Sequence, residues 1–363
     1  MSLSKGFGLC RRHPLYPILS AQSRSKRHSS YHTDRCILSC RLNYGMLSYV
    51  ERCRFPAMTA VWVMTANSID NLREEKQAHD CQQVAIEQWS GRTSVGTEWR
   101  VCLGDASAAL SPLPKETFDC VVTSPPYYWL RDYGVENQIG QEQTVDGYVS
   151  ALCAIMEEVY RVLKPEGVLF LNLGDTYYSG KGESHGKDPK SRARRFGLRA
   201  VDKSGGLGIG LRPKSIIGIP WRVAIEMCAN NWVLRSPIIW HRQHCLPESV
   251  LDRPRRSYEY VFMFAKSRKY FFDRQVLLNN EQEDMWTIVA RPKASGCIDT
   301  APFPDELVER CLSLGCPKDG SVLDPFAGSG TTLRVAVTSG RNATGIDLSS
   351  ECCQYMVKQL SGV

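Results

Sequence analysis

Val322-Leu323-Asp324-Pro325-Phe326-Ala327-Gly328-Ser329-Gly330-Thr331-Thr332 decides the fold. An apolar run of strand length passes into a Gly-rich turn and then into a stretch with helical spacing. Such a unit belongs to a parallel α/β sheet, and it lets a ligand approach backbone N–H groups at the strand's carboxyl end. Gly328 and Gly330 allow that approach because they carry no side chain. Twenty-three residues after Asp324, the run Thr344-Gly345-Ile346 ends on Asp347. An acid there can accept hydrogen bonds from both hydroxyls of a ribose. Turn and acid together point to a nucleoside cofactor. The turn lacks Gly-Lys-Ser/Thr, so nucleotide hydrolysis is not supported.

Outward from this block, short apolar runs alternate with amphipathic stretches from about residue 98 onward. Strands are expected at Arg100–Leu103, Cys120–Thr123, Val168–Leu173, Val233–Trp240, Tyr258–Phe264, Ser321–Leu323 and Ala343–Ile346. Helices are expected at Val145–Leu163, Pro220–Asn230, Pro304–Leu314 and Thr331–Thr338, with one more at the C-terminus. That alternation predicts an α/β protein built round a mostly parallel sheet.

A second block is Phe118-Asp119-Cys120-Val121-Val122-Thr123-Ser124-Pro125-Pro126-Tyr127-Tyr128-Trp129. Here too a buried strand ends in a turn, stiffened by two prolines. The Ser124 hydroxyl and the Pro125 carbonyl can then stand as neighbouring acceptors. Two acceptors facing one point suit an NH₂ group and draw its lone pair toward an electrophile. Tyr127 supplies a flat face for an extruded base. In isolation the same residues would read as a Pro-Pro turn beside core aromatics.

The two blocks together resemble the S-adenosylmethionine-dependent DNA methyltransferases that modify exocyclic amines. Thr123–Tyr127 matches their T-S-P-P-Y catalytic motif, and Asp324–Thr332 matches their D-P-F-x-G-S-G-T cofactor motif. The catalytic motif comes first, an order similar to the circularly permuted β group, and the resemblance covers about 260 residues from Arg100 to Leu360. It implies a class I methyltransferase fold: a Rossmann-like sheet of seven mostly parallel strands with helices on both faces. It implies catalytic roles for Ser124, Pro125, Pro126 and Tyr127. Cofactor contacts are implied for Asp324, Phe326, Ala327, Gly328, Ser329, Gly330, Thr331 and Asp347, with Asp105 near the adenine ring. Pro304 lies in Pro302–Leu307, similar to the segment that closes over the methionine end. Permutation further implies that the strand before Asp105 lies beside the strand ending at Asp347, so the two ends of the body are neighbours.

Ser124 stands where adenine-N6 members of the family usually carry Asp, and Ser usually goes with cytosine-N4 enzymes. The resemblance therefore implies methylation of cytosine N4, with adenine N6 as the alternative; both are amines on flipped bases. Cytosine-C5 chemistry needs a thiolate, which the Pro-Pro motif lacks. No metal and no covalent enzyme intermediate are required. From another class, a catalytically silent DNA-binding protein competes, although the motif residues are intact.

Duplex DNA is the expected partner, joined by a cognate restriction endonuclease if the source is bacterial. The Gly-rich stretch 179–214 offers Lys181, Lys187, Lys190, Arg192, Arg194, Arg195 and Arg199 for phosphate contact, followed by Lys203, Arg212 and Lys214. Arg253-Pro254-Arg255-Arg256 is a second basic run, suited to the DNA backbone or to a structural role.

The 363 residues carry a net charge of +7, but ten Lys/Arg against two Asp/Glu fall in residues 1–57, leaving a near-neutral body. Residues 1–66 read as a basic, poorly ordered extension. A transit peptide, a DNA arm and a misplaced start remain open for it. Its His28, His32, Cys36 and Cys40 would share a helix face suited to zinc, in a sequence that makes a poor helix. Residues 67–97 read as a connector and 98–363 as the methyltransferase domain. Fifteen scattered cysteines fit a reduced, intracellular protein acting where DNA is, in a bacterial cytoplasm or in a nucleus or organelle.

Overall fold

The structure, a computed structural model, describes residues 87–128, 138–142, 144–178, 211–212, 214–243, 250–279, 283–289 and 304–363. They all fall within the unit Cys81–Val363. The extension 1–66, most of the connector, the zinc-spaced residues and the first eight cations of the basic stretch lie outside them.

Nine strands form one sheet: β1 (Glu87–Arg92), β2 (Glu98–Leu103), β3 (Phe118–Thr123), β4 (Leu163–Leu173), β5 (Val233–Gln243), β6 (Tyr258–Ala265), β7 (Met285–Val289), β8 (Ser321–Asp324) and β9 (Asn342–Asp347). Their spatial order is β1-β2-β9-β8-β3-β4-β6-β5-β7. The run β2-β9-β8-β3-β4 is parallel throughout, while β6 is antiparallel to both β4 and β5.

The central strands read as continuous apolar runs because both of their faces are covered. Val121, Leu169, Leu171, Phe262 and Phe264 face α1 (Ala106–Leu110), α2 (Val145–Val162) and α3 (Ile219–Ala229). Cys120, Val122, Val168, Phe170, Val261 and Met263 face α5 (Asp305–Gly315), α6 (Thr331–Thr338) and α7 (Ser350–Leu360). A short α4 (Arg274–Asn279) precedes β7. Thr144 caps α2, its hydroxyl accepting from Gly147 N–H at 3.0 Å, and Asp146 and Arg161 complement the helix dipole at the two ends.

The seven expected strands are all present. The sheet is larger than expected by one strand at each edge, β1 and β7. β1 comes from the segment read as a connector and pairs antiparallel with β2 from Glu87↔Leu103 to Arg92↔Glu98. Its Gly91 accommodates the Trp99 ring: a Cβ there would stand 2.5 Å from Trp99 Cζ2.

The closure demanded by the permuted order is visible. β2 lies parallel to β9, with Val101 opposite Gly345 and Leu103 opposite Asp347. The Ser94 hydroxyl donates to the carbonyl of the C-terminal Val363 at 2.8 Å. Among the described residues, Cys102, Cys120, Cys153, Cys228, Cys311, Cys316, Cys352 and Cys353 are free thiols. No described helix is long and apolar enough to cross a membrane.

Candidate active site

Because β2, β9, β8, β3 and β4 run in one direction, their carboxyl ends open on a single edge of the sheet. Five turns meet there: Gly104–Asp105 after β2, Ser124–Tyr127 after β3, Gly174–Asp175 after β4, Pro325–Gly330 after β8, and Asp347 closing β9. The two sequence blocks, some 200 residues apart, are thus brought together through adjacent strands β3 and β8.

The turn after β8 is held from inside. Asp324 is 1% exposed. Its Oδ1 accepts from Thr123 Oγ1 at 2.7 Å and from Phe326 N–H at 3.1 Å, and its Oδ2 accepts from Thr332 Oγ1 at 2.6 Å. Burial pushes its carboxyl up to about 6, against the opposing pull of those hydrogen bonds. Asp324 therefore ties the Gly-rich turn to the end of β3 and to the start of α6.

Ala327 N–H donates to the Ile346 carbonyl at 2.9 Å, Gly328 N–H to Asp347 Oδ2 at 2.7 Å, and Gly330 N–H to the Ala327 carbonyl at 2.8 Å. With Phe326, four amides of the turn thus point at protein acceptors. This differs from the expected cradle of outward N–H groups, and it suits a ligand without phosphates. The bare Gly328 and Gly330, at φ of +54° and +80°, allow a close approach. Ala327, Ser329 and Thr331 are buried and Phe326 is half-buried.

Half-buried Asp347 also accepts from Ser349 N–H at 2.9 Å. A carboxylate closing β9 beside a Gly-rich turn has the chemistry that receives the ribose hydroxyls of S-adenosylmethionine. Asp105 caps α1, accepting from Ser107 and Ala108 N–H at 2.9 and 3.1 Å. The preceding Gly104 N–H reaches the Asp347 carbonyl at 3.0 Å, which sets this turn beside that acid. Pro304 is buried at the N-cap position of α5, and Asp305 beside it pairs with Arg334 of α6 at 2.5 Å.

Ser124 is half-buried and Pro125 buried. The Ser124 hydroxyl donates to Asn172 Oδ1 at 3.2 Å. Asn172 cannot turn over without loss, because its Nδ2 donates to the Tyr260 carbonyl at 3.1 Å. With its proton directed to Asn172, Ser124 Oγ keeps lone pairs for an incoming N–H. The Pro126 carbonyl accepts from Tyr148 Oη at 2.9 Å, fixing the second proline. Gly140, at φ +98°, comes close enough that a Cβ there would lie 3.3 Å from Pro126 Cβ.

Tyr127 Oη stands 3.0 Å from Asn172 Oδ1 and 2.6 Å from Glu259 Oε2. Burial and the Glu259 carboxylate hold its phenol well above the ordinary value, so it stays protonated and donates. Its ring lies against Gly174, where a Cβ would meet Tyr127 Cε2 at 2.5 Å.

Asn172, Gly174, Asp175 and Glu259 were missed in the sequence. A signal existed: Asn172 interrupts the apolar run Leu171-Asn172-Leu173, and a buried polar residue is informative. Asp175, after it, accepts from Thr176, Gly218 and Ile219 N–H at 2.8, 3.1 and 3.2 Å, anchoring the start of α3. Burial raises its carboxyl above the ordinary value.

Both stems of the basic stretch start from this edge, joined by a bridge between Tyr177 and Ile216. Beside them, the Arg253 guanidinium lies 3.9 Å from the centre of the Tyr177 ring, Arg256 donates to the Asp175 carbonyl, and Lys214 pairs with Asp252 at 2.5 Å. Lys181 through Arg199 lie outside the described residues.

The DNA methylase family model for N6 and N4 enzymes matches residues 118–358. A Type II methyltransferase, M.XycI of Xanthomonas campestris pv. cyanopsidis, is 41% identical over 266 residues, 71% of this chain and 86% of that protein. M.SmaI of Serratia marcescens, another Type II methyltransferase, is 40% identical over 261 residues, covering 69% and 87%. The solved PvuII DNA methyltransferase (cytosine-N4-specific) shares the fold, with a TM-score of 0.54, 21% identity, and 71% of this chain and 85% of that one covered. On a match this long, spanning both motifs and the strands that carry them, the chain belongs to the N6/N4 DNA methylase family.

Proposed function

We propose that the protein methylates the exocyclic N4 amine of cytosine in duplex DNA. The observation that carries this reading is the Ser124 hydroxyl, a neutral acceptor whose own proton is directed to Asn172. It occupies the place where, by the family resemblance, adenine-directed enzymes usually hold Asp.

When bound, S-adenosylmethionine supplies an electrophilic methyl on a sulfonium, open to in-line displacement. Asp347 and the Gly328–Gly330 turn hold its nucleoside end, with Asp105 on the adenine side and Pro304 toward the methionine end. Ser124 Oγ and the Pro125 carbonyl each accept one N–H of the target amine. Held between them, the amine nitrogen is drawn toward a pyramidal shape with its lone pair facing the methyl. Tyr127 packs against the flipped base. Acceleration comes from orientation and from acceptors already in place. Likeness to Type II methyltransferases favours a modification enzyme with a cognate restriction endonuclease. The basic stretch 179–214, whose stems rise from this edge, contacts phosphates.

The test is to incubate the full chain with unmethylated duplex DNA and methyl-labelled S-adenosylmethionine, then identify the labelled nucleoside by mass spectrometry. N4-methylcytosine is expected. N6-methyladenine would retain the site and overturn the base assignment. DNA that stays unlabelled while the cofactor binds would overturn the DNA reading.

A further inference from the structure

Glu259 lies outside both sequence blocks, on β6, yet both of its oxygens are engaged at the site. Oε2 stands 2.6 Å from Tyr127 Oη, and Oε1 takes Arg242 Nη1 of β5 at 2.7 Å. Its side chain is 12% exposed and that of Arg242 24%. A half-buried ion pair is weak evidence of stabilisation, since desolvation offsets much of the attraction. What this pair does achieve is geometric: Arg242 fixes the carboxylate, and the carboxylate fixes the phenol. Gly174 limits the same ring from its side, and Asn172 Oδ1, the acceptor for Ser124, lies 3.0 Å from the phenol oxygen. Tyr127 is therefore held at its far end by strands β4 and β6, rather than by its own loop alone.

We propose that Glu259 is a positioning residue for the methyl transfer, acting through the Tyr127 hydroxyl to fix the ring against which the target base packs. The proposal rests on the reading of Ser124–Tyr127 as the catalytic loop. A phenol that loses its anchor lets the ring swing, and small misplacements of a reacting group cost up to about a hundredfold in rate. Cofactor affinity is spared, because Asp347 closes β9 and the Gly-rich turn follows β8, strands that do not adjoin β6.

The experiment compares the full-length wild type with Glu259→Ala, Glu259→Gln, Tyr127→Phe and the Glu259→Ala/Tyr127→Phe double variant. Single-turnover methyl transfer to DNA, cofactor dissociation constants and thermal midpoints are measured for each. Tyr127→Phe removes one hydroxyl and leaves the Glu259–Arg242 pair intact, so it probes the same bond without exposing a buried charge. Both Glu259→Ala and Tyr127→Phe are expected to slow transfer by about tenfold or more, with cofactor binding within about twofold. The double variant should be no slower than the slower single one, because residues acting through one bond are not additive. Glu259→Gln, which can still bond both Arg242 and the phenol, should recover most of the rate. Wild-type transfer by Tyr127→Phe, or losses that multiply in the double variant, would overturn the proposal while leaving the methylase reading intact. A wild type that puts no methyl on DNA would overturn both.

Discussion

Asp324 joins two halves of the site with one side chain, and its titration reports on that junction. Its folded value of about 6 exceeds the ordinary 3.8 because burial penalises the carboxylate. The folded state thus holds a proton that the unfolded state releases between these values. Its contribution to stability is full below about pH 4 and is lost as pH rises through 6. Against Asp324→Asn, the wild type should lose up to roughly 3 kcal/mol between pH 4 and 7, measured by denaturant unfolding. A flat difference across that range would refute the assignment. Gly330 is a second sensitive position: its φ is +80°, and a Cβ would stand 2.5 Å from Met356 Cγ. Gly330→Ala should cost about 1–3 kcal/mol, read as a lowered thermal midpoint together with weaker cofactor binding. Ser124, Tyr127, Gly328 and Asp347 were legible in the sequence because each sits in a compact motif. Glu259 was not, because its role depends on β6 lying beside β4, a long-range pairing that no local pattern encodes.

At the scale of elements, α3 begins where Asp175 gathers the Thr176, Gly218 and Ile219 amides. Asp175→Ala should cost about 1–2 kcal/mol by removing that cap, and hydrogen exchange at the first turn of α3 should rise. Unchanged exchange there would show that the cap is dispensable. Strands β3, β6 and β8 were readable because burial on both faces leaves continuous apolar runs ended by turns, whereas β9, Asn-Ala-Thr-Gly-Ile-Asp, was marked by the acid that closes it. β4 was read from Val168, whereas the strand begins at Leu163. Its pairing with β3 jumps from Phe118↔Leu163 to Cys120↔Val168, so Lys164–Gly167 bulges out of register. β7 buries only Trp286 and Ile288, and β1 reads Glu-Gln-Trp-Ser-Gly-Arg with a single large apolar residue. Edge strands like these are specified by the neighbour they pair with, and a search for hydrophobic period passes over them.

For the molecule as a whole, the permuted order explains why Val363 meets Ser94 and why β2, early in the chain, lies parallel to β9, the last strand. The same geometry places all five candidate turns, and both stems of the basic stretch, on one edge. DNA affinity should therefore fall steeply with added salt, and Arg255→Ala, which removes one exposed cation, should lower the log–log slope by about one while weakening all sequences alike. A slope unaffected by that change would place Arg255 away from the DNA. That the Ser124 loop delivers a DNA amine to the methyl donor is put to the test by labelled methyl transfer with wild type and Ser124→Ala at equal cofactor occupancy. This role requires N4-methylcytosine from the wild type and a rate lower by about 10²–10³ in the variant, with cofactor binding unchanged. Equal transfer by the two proteins would contradict it.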